Sequence, residues 1–215
     1  RVRATWTWDG VGFEHKIATA DALIASLPPV DLIRAHAKKL KFIHVTAAGV
    51  EKWLPLEDWL PDGIAFVRNS GPHIGKATEF VTMALLMLNT GTPEIVTNQR
   101  HAKWRQIFSP RIAGKTALII GLGHMGGAAA TAARRLGMKT IGIRRSGKAT
   151  RIVDVVYPPR RLDAVLPKAD FVVVTAPLTP ETLGLLGRDR IARLKPTAGL
   201  VNMARAAIVD YDALC

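Results

Sequence analysis

Cysteine is nearly absent from this sequence: of 215 residues only Cys215 carries a thiol. That excludes an internal disulfide framework and fits a reducing compartment, so a cytoplasmic location is expected. Acidic side chains are also scarce, 17 against 30 Lys and Arg, for a net charge of +13. Long hydrophobic runs are missing. The longest lies within "EFVTMALLMLNTG", well short of the roughly 18 residues that read as a membrane span, so no membrane association is expected. No charged start leads into an apolar stretch with a small-residue cleavage site, and no signal peptide is visible. The chain opens on Arg1 rather than Met, which suggests that its natural N-terminus lies upstream. The excess of basic charge invites a nucleic-acid reading, but it is scattered, with modest clusters at "RHAKWR" and "RRSGKATR". Neither a zinc-ligand spacing nor a basic zipper accompanies it. No metal and no nucleic-acid partner are expected, and the charge reads as a surface that attracts small anions.

What is present suits one large or two modest globular domains, with 48% of residues hydrophobic. "VRATWTW" and "ADALIAS" read as strands, "VDLIRAHAKKL" as an amphipathic helix, and "KFIHVTAAG" and "GIAFVRNSG" as strands running into turns. "IGKATEFVTMALLMLNTG" predicts a long buried helix closed by Gly91. "TPEIVTNQRHAKWRQ" predicts another, with Thr92 as cap and Pro93 at its first position. From Gly114 the pattern restarts: strand "KTALIIG", helix from about Met125 to Leu136, strands "KTIGIRR" and "IVDVVY", helix "LDAVLPK", strand "DFVVVTAP", helix "RDRIARL" and strand "AGLVNM". Val- and Ile-rich strands alternating with helices indicate an α/β fold of parallel β-α units. The domain boundary is expected near residue 95, giving domains 1–95 and 96–215.

Gly121, Gly123 and Gly126 make the G-x-G-x-x-G spacing directly after a strand and at the opening of a helix. Gly121 allows the tight turn, Gly123 the approach of a pyrophosphate, and Gly126 close packing of helix on strand. Backbone amides near His124 and Met125 would face the phosphates. About 20 residues on, an NAD-selective site usually has Asp or Glu for the ribose hydroxyls. Here stand Arg144, Arg145 and Ser146, which can bind a 2′-phosphate that a carboxylate would repel. NADP(H) is therefore the preferred cofactor and NAD(H) the possible one; a solvated basic turn is the plainer alternative.

With these residues in view, the chain resembles the D-isomer-specific 2-hydroxyacid dehydrogenases, especially the branch with glyoxylate and hydroxypyruvate reductases. The resemblance runs from about Leu40 to the end, on "KFIHVTAAGVEKW", "NSGPHIGKATEFV", "GKTALIIGLGHMG", "ADFVVVTAPLTPETLGLL" and "LKPTAGLVNMARAAIVDYDAL". It implies two doubly wound parallel-sheet domains, a flavodoxin-like substrate domain and a Rossmann NAD(P)-binding domain. It implies that amides near Ala48 and Gly49 cradle the substrate carboxylate, although a plain turn would look the same. Asn69 falls where the family approaches the cofactor, or caps a turn. Ala176 and Pro177 would line the nicotinamide riboside, and Thr182 would reach the pyrophosphate or begin a helix. Met203 and Ala204 would sit beside the nicotinamide. Arg205 matches the catalytic arginine, binding the carboxylate and polarising the C2 carbonyl. Two alanines follow it where the family commonly has glycine.

The family also needs a histidine as proton donor and a glutamate to support it. Of His15, His36, His44, His73, His101 and His124 none matches that position, and His73 alone lies in a turn near the substrate side. The sequence therefore reads as a piece of a longer chain lacking the last strands of the second sheet. The implied activity is an oxidoreductase moving hydride between a nicotinamide cofactor and a small 2-keto or 2-hydroxy acid, in a homodimer. The alternatives are a non-catalytic NAD(P)H sensor or corepressor of the same fold and, on charge alone, a nucleic-acid-binding protein.

Overall fold

The computed structural model describes residues 2–7 and 10–214. They form two compact units, Arg1–Pro72 and His73–Cys215.

The first unit holds α1 (Phe13–Ile17), β1 (Ala22–Ala25), α2 (Val30–His36), β2 (Phe42–Val45) and β3 (Ala65–Arg68). Its strands pair in parallel in the order β1-β2-β3. Ile17, Ile33, Leu40, Ile43, Val45, Trp53 and Trp59 form the core, and the Trp59 indole satisfies its N–H on the Trp53 carbonyl at 2.8 Å. The expected strand "VRATWTW" is not one. Val2–Thr7 have no regular structure, Trp8 lies outside the described residues, and Val2 and Trp6 are 97% and 81% exposed. Alternation of apolar residues makes no strand where no neighbouring edge or core receives it. The five-residue α1 escaped the sequence reading because it is too short to show a period. The second helix stops at His36, because Ala37 leaves helical geometry at ψ 65° and the chain turns to bury Leu40.

The second unit holds α3 (Ile74–Asn89), α4 (Thr92–Arg100), β4 (Thr116–Ile120), α5 (His124–Arg135), β5 (Lys139–Ile143), β6 (Val155–Tyr157), α6 (Leu162–Val165), β7 (Phe171–Val174), α7 (Arg188–Ile191), β8 (Gly199–Asn202) and α8 (Tyr211–Leu214). All its strands are parallel, in the order β6-β5-β4-β7-β8. The chain thus winds outward from β4 in one direction and then in the other, and the carboxyl end of β4 is the topological switch point. Central strands β4 and β7 are buried on both faces, which is why "ALII" and "FVVV" read as unbroken apolar runs. Helix α5 is built from Gly and Ala. Gly126, Ala128, Ala129, Ala130, Ala132 and Ala133 are all buried, so the helix lies close on the sheet and on α3.

Helix α3 forms as expected and ends at Gly91, whose φ of 69° suits glycine. It packs on α5 and β8, and Lys115 donates to the Asn89 side chain at 2.6 Å. These contacts place it in the second unit, although the boundary expected from sequence lies after it. It is not buried all round. Ala77, Val81 and Leu85 face the core while Phe80, Met83 and Met87 stay exposed. Helix α4 is capped by Gly91 rather than Thr92, which is its first helical residue, and it ends at Arg100, not near Gln106.

Candidate dinucleotide and substrate site

At the switch point each of the three glycines has a distinct physical reason. Gly121 has φ of 97°, and a Cβ there would lie 2.7 Å from the Ala176 nitrogen. A Cβ on Gly126 would overlap the Gly121 carbonyl oxygen and crowd the Thr175 hydroxyl. A Cβ on Gly123 would meet nothing within 4 Å. The first two glycines therefore let protein pack on protein, and the third keeps open space beside a helix start. Helix α5 has no side-chain cap, and its first-turn amides, at His124, Met125 and Gly126, lack intrahelical acceptors. Open space in front of uncapped amides at the positive end of a twelve-residue helix fits a pyrophosphate.

The glycine turn is tied to both neighbouring strands. The Gly121 amide donates to the Ile143 carbonyl at 2.9 Å, so the end of β5, and with it Arg144, leaves from beside the turn. Arg144, Arg145 and Ser146 are exposed. A bond from the Gly147 amide to the Arg144 carbonyl folds them into a tight turn. On the other side the Thr175 hydroxyl donates to the Gly121 carbonyl at 2.7 Å. In the sequence Thr175 shows only as a hydroxyl residue ending the apolar run of the strand next to the switch point. The Glu181 carboxyl is held below its ordinary range, first by the Thr179 hydroxyl and less by the charge of Arg145.

Beyond β7, Ala176 is buried against Gly121 and Pro177 is exposed. Thr182 does not begin a helix. It lies in a turn, its hydroxyl donating to the Pro177 carbonyl at 2.7 Å and accepting from the Thr179 amide at 2.8 Å. A cleft of about 920 Å³ runs from Gly123 and His124 along the exposed flank of α5, past Thr131 to Arg134, Arg135 and Arg151.

Strand β8 leads into the arginine segment. The Met203 amide donates to the Val174 carbonyl at 2.9 Å, continuing the pairing with β7. Arg205 is exposed, in extended backbone, and its Nη1 donates to the Ala204 carbonyl at 2.9 Å. Ala206 and Ala207 turn through one short 3-10 turn, Ala206–Ile208, with the Ala207 carbonyl accepting from the Gly184 amide at 2.8 Å. Among the described residues only Ala102 is a non-glycine with positive φ, so two alanines fit here without strain. Asn202 and Tyr211, also passed over in the sequence, hydrogen-bond each other beside this segment.

Ala48, Gly49 and Asn69 belong to the first unit. The turn after β2 is held through its carbonyls: Arg68 donates to Ala48 at 3.2 Å, and the Asn69 amide to Ala47 at 3.3 Å. Among the described residues no group of three His, Cys, Asp or Glu could hold a metal, and no helix is long and apolar enough to cross a membrane.

Residues 82–215 match the family model for the NAD-binding domain of D-isomer specific 2-hydroxyacid dehydrogenases. The chain is 29% identical over 211 residues to glyoxylate reductase of Korarchaeum cryptofilum, covering 93% of this chain and 62% of that protein. It is 32% identical over 188 residues to human D-3-phosphoglycerate dehydrogenase, covering 86% of this chain and 34% of that protein. Among solved structures, an NADPH-dependent glyoxylate/hydroxypyruvate reductase from Sinorhizobium meliloti, in complex with NADP and sulfate, superposes with a TM-score of 0.82 at 28% identity. That match covers 96% of this chain and 66% of the other. The chain thus spans between a third and two thirds of the length of these relatives.

Proposed function

The chain belongs to the D-isomer specific 2-hydroxyacid dehydrogenase family, and on that premise we propose that it acts as an NADP(H)-preferring reductase of small 2-keto acids such as glyoxylate or hydroxypyruvate. The carrying observation is the switch-point turn: open space at Gly123 before uncapped α5 amides, with Arg144, Arg145 and Ser146 leaving from the strand end that holds Gly121. In this reading the unit Arg1–Pro72 binds substrate and the unit His73–Cys215 the dinucleotide, a boundary earlier than the one near residue 95 expected from sequence. The α5 amides hold the pyrophosphate, and the two guanidinium groups and the Ser146 hydroxyl hold the 2′-phosphate.

When bound, the reduced nicotinamide would supply hydride to C2 of the keto acid, and the proton that completes the alcohol would come from the histidine the family uses, which none of the six histidines of this sequence matches. Arg205 grips the substrate carboxylate and places positive charge beside the C2 oxygen, stabilising the charge that develops there. Amides at Ala48 and Gly49 hold the carboxylate from the substrate domain. In the same reading Ala176, Pro177, Met203 and Ala204 would shape the nicotinamide side, Thr182 would bind the pyrophosphate, and Asn69 is a candidate cofactor-binding residue. A homodimer is part of the same reading. It is supported by the exposed face of Phe80, Met83 and Met87 on α3.

The test is oxidation of NADPH and NADH, followed by absorbance with glyoxylate and hydroxypyruvate, on protein from the complete reading frame. Faster turnover with NADPH supports the proposal. Cofactor binding that quenches tryptophan fluorescence without turnover of either acid overturns it in favour of a non-catalytic dinucleotide sensor.

A further inference from the structure

We propose that Asn202 and Tyr211 form a positioning pair that sets the backbone on both sides of Arg205 and so aims its guanidinium. This inference rests on the reading of Arg205 as the substrate-binding arginine. The Asn202 amide is engaged at three points. Its Oδ1 accepts from the Ala204 amide at 3.0 Å, and its Nδ2 donates to the Arg205 carbonyl and to the Tyr211 hydroxyl, each at 3.0 Å. This orientation of the amide is the one that matches every partner, since a flipped amide would set its NH2 against the Ala204 N–H. The peptide group between Met203 and Ala204 and the one leaving Arg205 are thus both tied to one side chain, and that side chain is tied to the first residue of α8.

The anchor points lie on well-held backbone. Asn202 ends β8 in register with Val174 of β7, and the Met203 amide continues that pairing. Downstream, the Leu186 amide donates to the Ile208 carbonyl at 2.9 Å and the Asp210 amide to the Leu186 carbonyl at 3.0 Å. Tyr211 follows directly. The amide therefore bridges a separation of nine in sequence between strand end and helix start, and Arg205 stands inside that span. An arginine that must hold a carboxylate in bidentate geometry loses rate when its backbone shifts by a fraction of an ångström. Neither partner needs to touch the substrate for this effect.

The test is a set of double-mutant cycles in protein from the complete reading frame, with kcat, keto-acid KM, NADPH Kd and Tm measured for each variant. Tyr211→Phe removes one acceptor from a residue that is 44% exposed, and it should lower kcat/KM about 3- to 10-fold. Asn202→Ala removes all three bonds and should cost about 10- to 100-fold. NADPH Kd should stay within about twofold in both. In an Arg205→Lys background each substitution should cost no more than about twofold, because the pair acts through Arg205. Oxalate affinity in the presence of NADPH gives a second readout and should fall in parallel with kcat/KM. Equal losses in both backgrounds, or a lowered Tm with an unchanged kcat/KM, overturn the positioning role while leaving the proposed reaction standing. Wild-type kinetics in Arg205→Lys itself overturn both.

Discussion

The Thr175 hydroxyl donates to the Gly121 carbonyl at 2.7 Å, locking the glycine turn at the end of β4 to the end of β7. The two residues are 54 apart in sequence, and register between parallel neighbours brings them together, with Ile120 opposite Val174. Thr175→Val keeps the shape and removes the bond, leaving a carbonyl without this donor. We expect a loss of about 1–2 kcal/mol in unfolding free energy, with weaker NADPH binding. Thr175→Ser should restore both, as read by denaturant titration and fluorescence.

Gly123 and Gly126 should answer the same substitution in opposite ways. Gly126→Ala forces a Cβ onto backbone and should cost about 1–3 kcal/mol in stability. Gly123→Ala meets only open space, so Tm should hold while NADPH affinity falls by about tenfold or more, a loss of about 1.4 kcal/mol or more. Thermal melts with and without NADPH separate the two. A Gly123→Ala protein that binds NADPH normally would remove the pyrophosphate from this turn.

Cofactor preference should move with the two arginines after β5. Each charge-assisted bond to a phosphate is worth about 1.5–3 kcal/mol. Arg144→Ala with Arg145→Ala should therefore weaken NADPH by about 10- to 100-fold or more, and NADH by much less. Separate Kd values for the two cofactors decide it, and a parallel loss of both would show that the turn does not read the 2′-phosphate.

Acid should unfold the second unit partly through Asp170. Burial raises its pKa, but the Lys195 ammonium at 2.7 Å and the Thr116 amide at 2.8 Å outweigh that, and the group sits below its ordinary value of 3.8. With a lowered folded pKa, the stabilisation is full above that ordinary value and is lost as pH falls through the folded one. Asp170→Asn should cost about 1–2 kcal/mol at neutral pH, discounted for the half-exposed Lys195. Its stability should also fall less steeply than wild type between pH 4 and the acid transition, as followed by circular dichroism.

The proposed homodimer should depend on the exposed face of α3. Met83→Glu places a charge where we propose that a second copy packs. Light scattering should show monomer where the unaltered protein shows dimer, with the far-ultraviolet spectrum unchanged. A dimer that persists in Met83→Glu would move the interface elsewhere.

The glycine spacing, the Val- and Ile-rich central strands and the apolar arginine segment were legible in the sequence because each expresses a local constraint. A turn that needs positive φ at Gly121, strands buried on both faces, and a helix start without a capping side chain leave their marks within a few residues. The strand expected at "VRATWTW" does not form over Val2–Thr7, because alternation says nothing about whether a neighbouring edge exists. The exposed side of α3 was hidden for a related reason: an apolar helix reads alike whether one face or both are covered. The hydroxyl that ends the apolar run at Thr175 gives no hint of its partner Gly121, and the bridge from Asn202 to Tyr211 has no visible signature at all. They arise only when strand register and short connections bring side chains to backbone groups far away in sequence. The sequence by itself determined which backbone turns could form, through φ and burial at each residue. The tertiary structure decided what holds those turns in place, because a hydrogen bond across the sheet depends on distance in space rather than on neighbours in the chain.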